Sequence, residues 1–75
     1  MTDAAESATV EIVVNGQARA VPEGLNAAEL LDRLGLHPGM VVVELNREIV
    51  RREQLATLPI QAGDRIELVH FVGGG

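Results

Sequence analysis

The sequence contains no cysteine, tryptophan or tyrosine, and Phe71 is its only phenylalanine. Without cysteine the chain has neither disulfides nor thiolate ligands, and His37 and His70 do not form a His-x-x-x-His or similar ligand motif. We therefore expect no metal site. A chain of 75 residues has room for one domain, which its apolar core alone must stabilise.

Basic residues are also scarce. The sequence has 6 basic residues against 11 acidic ones, which gives a net charge of −5 and a pI near 4.8. This charge repels phosphate backbones, so we expect no nucleic-acid partner. A protein of this charge more naturally docks on basic surfaces of other proteins.

Long apolar runs are absent as well. No segment has the length needed to span a bilayer, so we expect no membrane association. Residues 1–8 contain Asp3 and Glu6 and lack the cationic start and apolar segment of a signal peptide. We expect residues 1–8 to form a disordered arm on a cytoplasmic protein.

The sequence offers no catalytic motif. Ser7 and the threonines do not lie in a Gly-x-Ser-x-Gly turn. The glycine run 73–75 is not followed by a helix, as a phosphate-binding loop would be. We therefore expect no catalytic residue, no bound cofactor and no enzymatic activity of its own.

Short apolar segments separated by turns are what the sequence does contain. The alternation in Thr9–Val14 is typical of a strand, with Val10, Ile12 and Val14 on one face. Asn15-Gly16 follows, and both residues tolerate the positive φ of a tight hairpin turn. Residues 17–21 are therefore expected to return as an antiparallel strand.

The next segment has the pattern of a helix. Asn26 is the expected N-cap, with Glu29 as its capping-box partner. Glu29 is also expected to pair with Arg33, and Gly35 to end the helix. The apolar face comprises Ala27, Leu30, Leu31 and Leu34.

Three further strands are predicted in the second half, at residues 40–45, 48–50 and 65–72, with the first of them near the centre of the sheet. The order hairpin, helix, strand, short strand, strand predicts an α+β fold of the β-grasp type. In this fold one main helix packs on one face of a mixed four- or five-stranded sheet. The domain is expected to span residues 9–72, followed by a flexible glycine tail at 73–75.

The glycine tail is the candidate functional element. Gly73, Gly74 and Gly75 carry no Cβ, so an extended backbone of this kind can enter a narrow active site of another protein. A carboxylate becomes an acyl donor when its oxygen attacks the α-phosphate of ATP. We expect the carboxylate of Gly75 to be the reactive group, and Phe71 and Val72 to contact the partner.

Three stretches carry a resemblance to a known family: Asn15-Gly16, residues 46–50 and, above all, residues 64–75, which end Val-His-Phe-Val-Gly-Gly-Gly. Over residues 9–75 the chain resembles the ubiquitin-like sulfur carriers of thiamine biosynthesis, the ThiS family. The resemblance implies that an E1-like enzyme adenylates Gly75 with ATP and Mg²⁺. It also implies that a cysteine persulfide supplies sulfur to form a thiocarboxylate, which donates that sulfur to thiazole synthase.

Three alternatives remain open from the sequence. The small subunit of molybdopterin synthase shares the β-grasp fold and a diglycine end, and its binding partner distinguishes it. A plain β-grasp interaction module would tolerate removal of residues 73–75. Conjugation in the manner of ubiquitin would use the same activated glycine but end in an isopeptide bond.

Overall fold

The computed structural model describes residues 8–71 and shows a five-stranded sheet with one α-helix. The elements are β1 (Thr9–Val14), β2 (Gln17–Pro22), α1 (Ala27–Arg33), β3 (Val41–Leu45), β4 (Glu48–Val50) and β5 (Arg65–His70). The strand order is β2-β1-β5-β3-β4, with β1 and β5 parallel and the other pairs antiparallel. This is the mixed sheet of the predicted β-grasp fold. Of the disordered arm expected at residues 1–8, residues 1–7 lie outside the described residues, as does the glycine tail at 73–75.

Both hairpins turn through two residues that have positive φ. Asn15 and Gly16 have φ of 50° and 85°, as the first predicted hairpin requires. Asn46 and Arg47 have φ of 50° and 74° between β3 and β4. Arg47 adopts a conformation that few side chains favour, because a two-residue turn of this hand requires it.

Helix α1 begins with the predicted capping box. The Asn26 Oδ1 accepts a hydrogen bond from the Glu29 amide at 2.8 Å, and Glu29 Oε1 accepts one from the Asn26 amide at 2.9 Å. The expected ion pair between Glu29 and Arg33 is wrong, because the Glu29 carboxylate is turned towards the helix start. Within residues 8–71 the structure has one ion pair, Arg51–Glu53.

The core lies between α1 and one face of the sheet. Its buried side chains are Ile12, Val21, Ala27, Leu30, Leu31, Val41, Val43, Leu55, Ile60 and Ile66. The opposite face of the sheet, which we call the open face, has no element of residues 8–71 packed over it. No helix in the same range is long and apolar enough to cross a membrane.

Three details differ from the sequence prediction. Strand β3 begins at Val41, because Pro38–Met40 forms a 3₁₀ turn in which His37 Nδ1 accepts a hydrogen bond from the Gly39 amide. The central position belongs to β5, with β3 beside it. A second 3₁₀ segment, Arg52–Thr57, was not predicted and brings Leu55 into the core.

Candidate functional site

The central strand β5 leads to the candidate tail. It pairs with β3 along Ile66–His70 and with β1 at Arg65 and Ile66. The pairing extends one residue beyond the strand, because the Phe71 amide donates a hydrogen bond of 2.8 Å to the Met40 carbonyl. The backbone is thus fixed up to the residue that precedes Val72.

Side chains from the second hairpin hold the start of β5. Asn46 Oδ1 accepts a hydrogen bond from the Arg65 amide at 2.9 Å, and Asn46 Nδ2 donates one to Asp64 Oδ1 at 3.1 Å. Asp64 Oδ2 in turn accepts from the Gln61 amide at 2.7 Å. These contacts join the turn before β4 to the turn before β5, and they fix where the central strand begins.

The first hairpin turn holds the middle of the same strand. The ladder between β1 and β5 covers Val13 and Val14 and ends where the turn begins. There the side chain of Asn15 continues it, since its Oδ1 accepts a hydrogen bond of 2.7 Å from the Leu68 amide. Asn15 therefore both forms the turn and replaces a missing backbone acceptor.

Exposed apolar side chains converge on the open face of the sheet. Phe71 is 47% exposed and Val69 is 62% exposed, and alternation along β5 places both away from the core residue Ile66. Ile49 is 68% exposed and lies opposite Glu44 across the β3–β4 pair. These three are the exposed large apolar residues of the part of the chain that the structure describes.

The predicted site residues are placed only in part. Phe71 lies off the face of Ile66 and Leu68, as the alternation predicts, and is exposed. Val72 and the glycines 73–75 lie outside the described residues, so their roles stay predictions.

The sequence analysis did not identify Ile49 as an exposed apolar residue and did not assign Val69 to a face of the sheet. The alternation pattern contains the information for both residues. Alternation puts Val69 on the side of Glu67, and a two-residue turn at residues 46–47 puts Ile49 on the side of Glu44.

Residues 8–71 were also searched for a metal site and for a pocket that could hold a small molecule. No group of three or more acidic residues and histidines is placed to hold a metal ion within this range. A groove of about 140 Å³ runs along the β4 edge, which is small beside the several hundred Å³ typical of small-molecule sites. Its lining residues are Leu45, Glu48, Ile49, Val50, Gln54 and Leu58.

Comparison with known proteins identifies the family. The sequence model of the ThiS family matches residues 7–75. The sulfur carrier protein ThiS of Escherichia coli is 35% identical over 66 residues, which cover 88% of this chain and the whole of that protein. A crystal structure of the thiamine biosynthesis protein ThiS from Geobacter metallireducens has a TM-score of 0.76 at 38% identity, covering 88% of this chain and 100% of that one.

A second kind of relative is much longer. A thiazole synthase of Paramagnetospirillum magneticum is 36% identical over 66 residues, and one of Magnetococcus marinus is 38% identical over the same length. The chain spans only 20% of the length of each of these two proteins. The match to the family over nearly the whole chain, together with the agreement in fold, shows that the chain belongs to the ThiS family.

Proposed function

We propose that the chain carries sulfur as a thiocarboxylate on Gly75 and donates it to thiazole synthase during thiamine biosynthesis. The observation that carries the proposal is that the glycine run follows the hydrogen-bonded central strand almost directly in the sequence. The Phe71 amide is bound to the Met40 carbonyl, and four residues later the sequence reaches Gly75. Membership of the ThiS family also supports the proposed role as a sulfur carrier.

The chemistry requires activation by a partner. A carboxylate oxygen of Gly75 attacks the α-phosphate of ATP, and pyrophosphate leaves to give an acyl-adenylate. We propose that an E1-like enzyme performs this step with Mg²⁺. The terminal sulfur of a cysteine persulfide then displaces AMP, and a thiol cleaves the resulting acyl disulfide to release the thiocarboxylate.

In this proposal the chain is a protein co-substrate, and its partners supply the catalytic groups. Its contribution is to present the carboxylate at the end of a glycine segment that has no side chains. Because ATP and persulfide donors act in the cytoplasm, we place the chain there. The two long relatives support the choice of acceptor, since each is named a thiazole synthase and contains a stretch similar to this chain.

Mass spectrometry tests the proposal. The full chain is incubated with ATP, Mg²⁺, the activating enzyme and the persulfide donor of the same organism. We expect the intact mass to rise by about 16 Da, because sulfur replaces one oxygen of the terminal carboxylate.

Two variants with an altered tail make the test specific. Deletion of Gly75 and addition of one alanine after Gly75 both move the carboxylate without touching residues 8–71, and we expect neither variant to gain sulfur. A variant lacking Thr2 serves as the matched control at the other end of the chain and should be loaded normally. Sulfur loading of the Gly75 deletion would refute the proposal.

A further inference from the structure

Two side chains converge on Gly39, in the turn that precedes β3. A Cβ placed on Gly39 would lie 3.2 Å from His37 Nδ1 and 3.5 Å from Arg52 Nη2. Gly39 does not have the positive φ that accounts for the other glycines of residues 8–71. The missing side chain at this position therefore makes room for an imidazole and a guanidinium to lie together against the backbone.

Both side chains have hydrogen-bond donors to offer at this point. His37 Nδ1 accepts a hydrogen bond of 3.0 Å from the Gly39 amide, so a neutral imidazole carries its proton on Nε2. His37 and Arg52 are both exposed, which leaves the Nε2–H and the guanidinium N–H groups accessible. Arg52 forms no ion pair with another residue of the described range 8–71. We call His37 and Arg52 together the donor site.

Acidic residues are missing from the segments that meet around the donor site. The sequence has 11 acidic residues, yet none occurs in residues 34–43 or in residues 68–75. Glu53, which follows Arg52 in the sequence, is already paired with Arg51 at 3.0 Å. An anion is therefore attracted to this part of a chain whose net charge is −5.

The donor site adjoins the point where the chain leaves the sheet. The Met40 carbonyl accepts a hydrogen bond of 2.8 Å from the Phe71 amide, and Gly39 is the residue before Met40. Arg52 reaches Gly39 from the 3₁₀ segment that packs beside α1. The last described residue of the chain and the donor site are thus held together by the same short turn.

The sequence supplies an anion within reach of this site. Four residues follow Phe71, and a fully extended segment of four residues spans up to about 14 Å. The segment ends at the Gly75 carboxylate, and its three glycines allow the backbone to turn towards the site. Because this carboxylate is tethered, it competes well with dissolved anions for the donor site.

We propose that His37 and Arg52 bind the Gly75 carboxylate of the same chain when no partner is present. The Arg52 guanidinium supplies the charge and two parallel N–H donors, which match the two oxygens of a carboxylate. His37 Nε2–H adds a neutral donor. While the contact lasts, neither carboxylate oxygen is free to attack ATP, so an activating partner has to displace Arg52. The contact shares with the proposed function only the free carboxylate of Gly75.

Nuclear magnetic resonance of the ¹⁵N-labelled full chain near neutral pH tests the contact. We expect the Arg52 Nε–Hε signal to shift when the Gly75 carboxylate is replaced by a carboxamide, which removes the charge and keeps the length of the chain. The Arg65 Nε–Hε signal is the internal control and should stay in place. Arg65 lies at the opposite end of β5, about 20 Å from Phe71 along the strand.

Substitutions test the same contact from the side of the domain. Because exposed ion pairs are weak, we expect Arg52→Gln to lower the ratio of bound to open tail about two- to fivefold, seen as a lower ¹H–¹⁵N NOE at Gly74 and Gly75. Arg52→Lys keeps the charge without the paired donors and should give an intermediate value. Arg65→Gln is the matched control. It makes the same change in net charge and should leave the NOE of the tail unchanged.

His37→Asn tests the second donor. The asparagine Oδ1 can accept the hydrogen bond of the Gly39 amide as His37 Nδ1 does, so the turn is kept while the Nε2–H is lost. We expect a smaller drop of the tail NOE than in Arg52→Gln. No drop at all would remove His37 from the site.

The remaining outcomes decide the proposal. An Arg52 signal unmoved by the carboxamide, or a tail NOE unchanged in Arg52→Gln, overturns it. An Arg52 signal that moves on dilution would assign the site to the tail of a second copy. A signal that moves only when inorganic phosphate is added, and equally in both chains, would assign it to a dissolved anion; either result also overturns the proposal.

None of these measurements uses ATP or an enzyme, so the two proposals fail separately. Sulfur loading of a chain that shows no tail contact overturns the donor site alone. A tail contact in a chain that gains no sulfur overturns the proposed function alone.

Discussion

Two asparagines each have two functions in this small fold. Asn15 and Asn46 adopt positive φ in the hairpin turns, and each accepts a hydrogen bond from the backbone of β5. Asparagine suits both functions, because it tolerates this backbone conformation and carries a short amide acceptor. The same residues that turn the chain therefore also fix the central strand.

At Asn15 the two functions can be separated by substitution. We expect Asn15→Ala to lower the free energy of unfolding by about 1–2 kcal/mol, because it strains the turn and leaves the Leu68 amide without its acceptor. Asn15→Asp keeps an acceptor at the same place and should stay within about 0.5 kcal/mol of the wild type. Urea denaturation followed by circular dichroism measures both, and equal losses in the two variants would contradict this account.

Among the elements, α1 and the second 3₁₀ segment cover the core together. Helix α1 has seven residues and is too short to be stable alone, so its capping box and its packing must hold it. The Ala27 amide donates a hydrogen bond of 2.8 Å to the Leu58 carbonyl, which ties the helix start to the chain after Arg52–Thr57. The two elements form one layer.

The capping box gives a prediction for the helix. We expect Asn26→Ala to cost about 1 kcal/mol of stability, because the Glu29 amide loses its acceptor at the helix start. Asn26→Asp is the control and should be close to neutral, since aspartate caps helices equally well. Thermal unfolding measures both variants, and an unchanged Tm for Asn26→Ala would contradict the structural role of the cap.

The 3₁₀ segment gives a second prediction at this scale. Leu55 is buried against the core, so we expect Leu55→Ala to cost about 2–5 kcal/mol through lost contacts and a cavity. Glu53→Ala in the same segment removes only an exposed ion pair with Arg51 and should change stability by less than about 0.5 kcal/mol. Chemical denaturation of both variants provides the comparison. A loss of stability below about 1 kcal/mol for Leu55→Ala would mean that the packing of this segment contributes little to the core.

For the whole molecule, the net charge of −5 bears on the proposed encounter with thiazole synthase. Negative charge of this size steers a protein towards basic surfaces and speeds association at low salt.

Salt dependence tests electrostatic steering in the proposed encounter. We expect the association rate with thiazole synthase to fall by at least about threefold between 0.05 and 0.5 M NaCl, because salt screens exposed charges. Glu67→Lys should show a weaker dependence, since it makes the chain less negative. Stopped-flow measurements at several salt concentrations supply the rates. A rate that does not change with salt would exclude electrostatic steering of this encounter.

The sequence by itself determined the local elements whose signals are local. The turn at Asn15-Gly16, the capping box at Asn26 and the alternation of β1 depend on neighbouring residues, and each is present in the structure as predicted. The same holds for the order of strands and helix, which led to the β-grasp fold. The role of Gly75 is a prediction of the same origin, because it depends on residue type and position alone.

Only the tertiary structure decided which residues meet across strands. The central place of β5, the hydrogen bond from Leu68 to Asn15 and the burial of Leu55 all depend on contacts between residues far apart in sequence. The places of Ile49 and Glu67 opposite Glu44 are likewise products of strand register. Period-two alternation tells which residues share a side of one strand, whereas pairing between strands determines which of them become neighbours.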